Sequence, residues 1–135
     1  MGQGMTKKSV VRMIFILVGC TLVILFLITY VRYSKYGDFE DAIRRGNQTE
    51  VKAFIDYGFD VNHIYNPAKE GCGYTPVQVA AQSKQPGVLK MLLENGGNPN
   101  HADNIGNTPL LVLVRGDETQ DGLDCLELLL AANIH

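Results

Sequence analysis

The side chains able to do chemistry are few: three histidines, His63, His101 and His135, and three cysteines, Cys20, Cys72 and Cys125, in 135 residues. A zinc site needs about four such ligands close together, and no histidine here stands three to five residues from another metal-type ligand in a recognisable pattern. No serine or cysteine is paired by motif with a histidine that could take its proton, and no glycine-rich phosphate loop is present. Nor do three cysteines make a disulfide framework: Cys20 falls in an apolar run, Cys72 in a long connection and Cys125 on an apolar helical stripe. The expectation is a chain with no catalytic residue, no metal ligand and no cofactor, one that binds rather than transforms.

The glycines belong to the elements that would position a binding surface. Gly73-Tyr74-Thr75-Pro76-Val77 returns 33 residues later as Gly106-Asn107-Thr108-Pro109-Leu110, a period proper to solenoid proteins. Glycine allows a tight turn, threonine can cap a helix and proline tolerates the first helical position, so each copy reads as a turn feeding a helix. Gly58-Phe59-Asp60-Val61-Asn62 is answered by Gly96-Gly97-Asn98-Pro99-Asn100, each after an apolar stretch that its glycines would stop. Phe39, Ala42 and Ile43 stand at i, i+3, i+4, and Val51, Phe54 and Ile55 repeat the spacing, giving two stripes that face each other in a helical hairpin.

Thr-Pro openings, paired short helices and Gly-x-Asp/Asn-x-Asn endings together resemble the ankyrin repeat over residues 37–135. The resemblance implies an all-α solenoid of about three helical-hairpin repeats, 37–62, 63–100 and 101–135. It also implies that finger tips and first helices form a concave groove for a protein partner. The residues falling there are His63, Tyr65, Asn66, Lys69, Glu70 and Tyr74 on a long finger, His101, Asp103, Asn104 and Ile105 on a short one, and Gln78, Gln82 and Ser83 on the helix behind. Tyrosines combine apolar area with a polar tip, which puts Tyr65 and Tyr74 first as anchors, although Tyr74 packing on the neighbouring finger is an equally open reading. Gln78 and Leu111 stand where the family usually carries a histidine after Thr-Pro-Leu, so a polar link between repeats is expected to be missing.

Two departures mark the third unit. An acidic insertion, Gly116 to Gly122, separates its helices, and Ala132 replaces the stop glycine. Terminal repeats normally carry a polar outer face, whereas Leu110 to Val114 and Leu126 to Leu130 are strongly apolar. An uncovered edge able to self-associate is one expectation, and packing of Leu126 and Leu130 beneath the insertion is the other.

Ahead of the repeats, residues 13–31 run for 19 positions without a charge, after a basic tail at 1–12 and before a juxtamembrane linker at 32–36. At about 1.5 Å per residue such a helix just crosses a hydrocarbon core of about 30 Å, so one transmembrane helix is expected. Leu17-Val18-Gly19-Cys20 resembles a lipobox, but eleven further apolar residues argue against cleavage there. No small-x-small site supports a cleaved signal peptide, and the myristoylation-like start Met1-Gly2 is redundant beside a span. Lys7, Lys8 and Arg12 slightly outweigh Arg32 and Lys35, which favours the N-terminus inside and the repeats on the extracytoplasmic side.

Charge divides unevenly: all 14 acidic residues and 7 of the 12 basic ones follow Tyr36, giving the repeats a net −7. Phosphate backbones would be repelled, excluding nucleic acid as an expected partner. A basic protein surface would be attracted, and solubility is an equally good reason for the charge. Small bacterial proteins of this family include immunity partners of secreted toxins, so the resemblance extends to a membrane-anchored toxin neutraliser. The other expectation is a structural subunit of a larger membrane assembly.

Overall fold

The computed structural model describes residues 6–66, 73–116 and 118–133, without the side chains of residues 32–34. The chain divides into two units, Met1–Gly37 and Asp38–His135. Helix α1, Lys7–Arg44, begins in the first and ends in the second. Residues 32–36, read from the sequence as a linker, are helical, because nothing from Arg32 to Tyr36 is a glycine or proline that would break the hydrogen-bond ladder.

Within the first unit, apolar side chains from Val10 to Val31 are exposed all round. Thr21 and Thr29 turn their hydroxyls back to the carbonyls of Val18 and Phe26, each at 2.8 Å, which satisfies the two polar groups inside the helix itself. Length and composition make α1 a candidate membrane span near the N-terminus, a test that a signal sequence also passes.

The second unit is a stack of hairpins. The last turns of α1 bury Phe39, Ala42 and Ile43 completely, and Phe39 meets Phe54 and Phe59 at ring-centroid distances of 5.4 and 5.6 Å. Gly46, at φ 69°, turns the chain, and Asn47 caps α2, Gln48–Asp56, by accepting from Glu50 N. Helices α3, Pro76–Gln82, and α5, Pro109–Val114, both open with Thr-Pro. Each is followed by a second helix, α4, Pro86–Glu94, and α6, Gln120–Asn133. Packing of α3 on α5, and of α2 on α4 on α6, builds a layer of first helices and a layer of second helices. Val77, Val79, Ala80, Val88, Leu89, Leu92, Cys125 and Leu129 fill the space between layers.

Asparagines join successive repeats at their ends. Asn62 donates through Nδ2 to Gly96 O at 2.9 Å and accepts from Asn98 N at 2.8 Å. Among the described residues there is no strand, and an isolated antiparallel bridge links Tyr65 to Tyr74. The acidic insertion is shorter as a loop than the sequence suggested, since Gln120 to Gly122 already belong to α6. The physical reason is Thr119, whose Oγ1 accepts from Gly122 N at 3.1 Å and caps the helix a turn early. Of the apolar edge, Leu111, Val114, Leu123 and Leu130 are exposed, so Leu130 is not buried under that insertion.

Candidate functional site

Behind the fingers lies a cleft of about 480 Å3 lined by residues of all three repeats, from Arg44 through Tyr74, Gln78 and Gln82 to Asp103, Asn107 and Arg115. Its first wall is built on Glu40. Oε1 of this carboxylate accepts from Arg44 Nε at 3.0 Å, from Arg44 Nη2 at 2.7 Å and from Tyr74 OH at 3.2 Å. Partial burial pushes the Arg44 pKa down, and the hydrogen bond and charge of Glu40 more than reverse it, so the guanidinium stays charged. The Tyr74 hydroxyl is pushed up, first by burial and then by the Glu40 charge.

The opposite wall is the short finger. Asp103 accepts from Ile105 N, Asn107 N and Asn107 Nδ2 at 3.0, 2.8 and 2.9 Å. Desolvation opposes its ionisation, but these donors and the Arg115 charge prevail and hold the carboxyl below its ordinary value. Asn107, so fixed, accepts from Arg115 Nη1 through Oδ1 at 2.5 Å.

Gln78 spans the floor. Its Oε1 accepts from Thr75 N at 2.9 Å, the glutamine half of a capping box, while Nε2 donates to Asn107 O at 2.7 Å in the next finger. The polar link between repeats that the sequence reading expected to be missing is therefore present, because a glutamine amide carries both a donor and an acceptor. His101 adds a second link, Nε2 to Gly73 O at 2.8 Å.

The residues singled out from sequence divide by these positions. Tyr74, Gln78, Gln82 and Asp103 line the cleft. Asn66, Asn104 and Ile105 are exposed, and Ser83 is half-buried. Tyr65 is 5% exposed and cannot be a surface anchor as it stands; it stacks on Tyr74 at 5.4 Å because the long finger folds back through the bridge between them. Gln78, 2% exposed, is likewise a structural residue of the floor rather than a free contact. Lys69, Glu70 and Cys72 lie outside the described residues.

Sequence reasoning missed Glu40, Arg44, Asn107 and Arg115. A signal existed: Arg44, Gln82 and Arg115 occupy corresponding positions at the ends of the first helices, 38 and then 33 residues apart, the same two offsets that relate the repeat endings and the Thr-Pro openings. They form a ladder along the groove, with Arg44 Nη1 donating to Gln82 Oε1 at 3.4 Å.

His63 packs edge-on against Tyr65 at 5.0 Å, and burial lowers its pKa against the opposing pull of Asp60. Both folded and unfolded chains then carry a neutral His63 above the unfolded value of about 6.5. As pH falls below that point the unfolded state takes up the proton first, so stability is lost on acidification. Unfolding titrations from pH 7.5 to 5 are expected to show this decline in the wild type and a shallower one in His63→Gln.

Among the described residues no three His, Cys, Asp or Glu side chains come together to hold a metal ion. Burial, with Asp121 and Asp124 adding to it, pushes the Cys125 thiol up to about 11, which leaves it a core residue with little thiolate.

Comparison with known proteins fits this architecture. A stretch of 47 residues, 35% of the chain, is 45% identical to human neurogenic locus notch homolog protein 4, of whose own length it spans about 2%. A family model described as ankyrin repeats (3 copies) matches residues 39–135. Repeating hairpins, fingers joined by side-chain links and a match over most of the sequence agree: this chain belongs to the ankyrin-repeat family.

Proposed function

We propose that the chain is a membrane-anchored module that captures a protein partner in the groove between its fingers and first helices, without catalysis. The supporting observation is the cleft itself, whose polar walls are fixed by one another before any partner arrives. Preorganisation of this kind reduces the ordering cost of association. Tyr74, Gln82, Asp103 and Arg115 supply the inner surface, and His63, Asn66, Ser83, His101, Asn104 and Ile105 the outer one; Lys69 and Glu70 are added as contacts on the sequence alone. Residues 13–31 serve as the anchor, with the repeats on the extracytoplasmic side, which a reporter fused to the C-terminus tests directly.

Ile105 offers the cleanest test of the groove, being 58% exposed at a finger tip. Ile105→Asp is expected to weaken partner retention by the full chain in detergent at least tenfold, about 1.4 kcal/mol, with no change in melting temperature. Undiminished retention would place the partner elsewhere. Neutralisation of a basic secreted toxin is a narrower form of the proposal. A single basic protein held at low salt supports it, and several unrelated clients argue for a scaffold.

The exposed Leu111, Val114, Leu123 and Leu130 favour a second reading, a permanent subunit of a larger membrane assembly or self-association through that edge. Sizing after mild detergent extraction separates the two, since a stable co-purifying subunit favours assembly and a lone chain favours capture.

A further inference from the structure

We infer that the groove receives a carboxylate, an aspartate or glutamate side chain of the protein partner, between Arg44 and Arg115; this rests on the groove being the partner-binding surface. Both guanidiniums line the same cleft, Arg44 at the end of α1 and Arg115 just after α5. Each is oriented in advance, Arg44 by Glu40 and Gln82, Arg115 by Asn107.

Donors and acceptors in the cleft are unequally used. Asp103 spends both oxygens on Ile105 and Asn107, and Glu40 Oε1 already takes three donors. Of the five N–H groups that a guanidinium carries, among the described residues Arg44 commits three, to Glu40 and Gln82, and Arg115 one, to Asn107, so the open fork is that of Arg115. What the cleft offers an incoming group is therefore mainly N–H, in the planar fork that pairs two-to-two with a carboxylate.

The net negative charge of the domain does not contradict this, because six of its 14 acidic residues lie on second helices away from the cleft, and Glu40 and Asp103 beside it are held by Arg44 and Asn107. Glu50 and Asp56 lie on α2, Glu94 on α4, and Asp121, Asp124 and Glu127 on α6, all second helices, and none of them lines the cleft. The summed field acts at long range, whereas register in the groove is set by the groups within hydrogen-bond reach.

The test uses the full-length chain in detergent micelles and three Gly/Ser-flanked peptides that differ at two central residues, Glu-Glu, Gln-Gln or Lys-Lys. Binding is followed by the side-chain NMR signals of Arg44, Arg115 and Tyr74. The Glu peptide is expected to bind at least tenfold more tightly than the Gln peptide and to shift Arg115 Nε–H. Arg115→Gln should bring the two within about twofold and Arg115→Lys should recover part of the difference, while both lower the melting temperature by no more than the few degrees that loss of the one bond to Asn107 implies. Equal binding of the Glu and Gln peptides, or tighter binding of the Lys peptide, with Tyr74 still shifting, overturns the carboxylate while leaving the groove as a binding surface. No shift with any peptide overturns both.

Discussion

Gln78→Leu is expected to destabilise the repeat domain by about 2–3 kcal/mol, seen as a fall of about 10 °C or more in melting temperature. Leucine is close to glutamine in volume, so packing is not the variable. What changes is hydrogen bonding at a position 2% exposed. Thr75 N, which has Gln78 Oε1 as its acceptor at 2.9 Å, would be left buried and bare, at about 1–3 kcal/mol. Asn107 O would lose the 2.7 Å bond from Gln78 Nε2 but keep the one from Asp103 N at 3.0 Å, so its share is the smaller, about 1 kcal/mol. Gln78→Glu should be no better than leucine, since a carboxylate can accept from Thr75 N but would face the Asn107 carbonyl oxygen without a proton. Gln78→His should be milder, because an imidazole can keep one of the two bonds. Thermal unfolding of the full chain, followed by near-ultraviolet circular dichroism of the repeat tyrosines, reads all three. A leucine variant within about 0.5 kcal/mol of wild type, the usual scatter of surface changes, would mean that the inter-repeat bond contributes nothing.

The same residue shows where sequence reading ends. Thr75-Pro76 and Thr108-Pro109 were legible as helix openings because capping is local, and α3 and α5 begin at those prolines. The partner of Gln78 Nε2 is 29 residues away in the next finger, and a spacing of that kind carries no local pattern. The resemblance puts Tyr65 on an exposed finger as an anchor, whereas its burial depends on the finger closing back on Tyr74, a contact with no local pattern. Arg44 and Arg115 were lost in a charge total, which sums over faces that the fold keeps apart. Following the repeat offset from Gln82 in both directions would have found them. Thr119 was visible too, as a hydroxyl three residues before Gly122, but an acidic stretch between two apolar ones reads more readily as a loop than as a helix start.

Gly96 and Gly97 carry the second large effect, and their backbone angles alone would rank them the wrong way round. Gly96, at φ 87°, is in the left-handed region, yet a Cβ there would meet nothing within 4 Å. Gly96→Ala should therefore cost the conformational strain, about 1–2 kcal/mol. At Gly97 no such angle applies, but a Cβ would stand 2.7 Å from Val77 Cγ2 and 2.8 Å from the backbone oxygen of Leu92. Neither neighbour can yield cheaply: Val77 and Leu92 are fully buried, and Gly97 N donates to that same Leu92 oxygen at 2.8 Å to close α4. Gly97→Ala must both push α3 away from α4 and displace the Leu92 oxygen that accepts the closing bond. Overpacking of about 1–3 kcal/mol and a lost hydrogen bond of about 1 kcal/mol put the expected loss near 3 kcal/mol. Because Val77 precedes Gln78, the displacement would reach the groove floor, and the Gly97 variant should also speed amide exchange at Thr75 where the Gly96 variant does not. Equal stability of the two variants would show that the end of α4 can shift off α3 without cost, and that contact between the helix layers, rather than the turn between repeats, is the soft part of the stack.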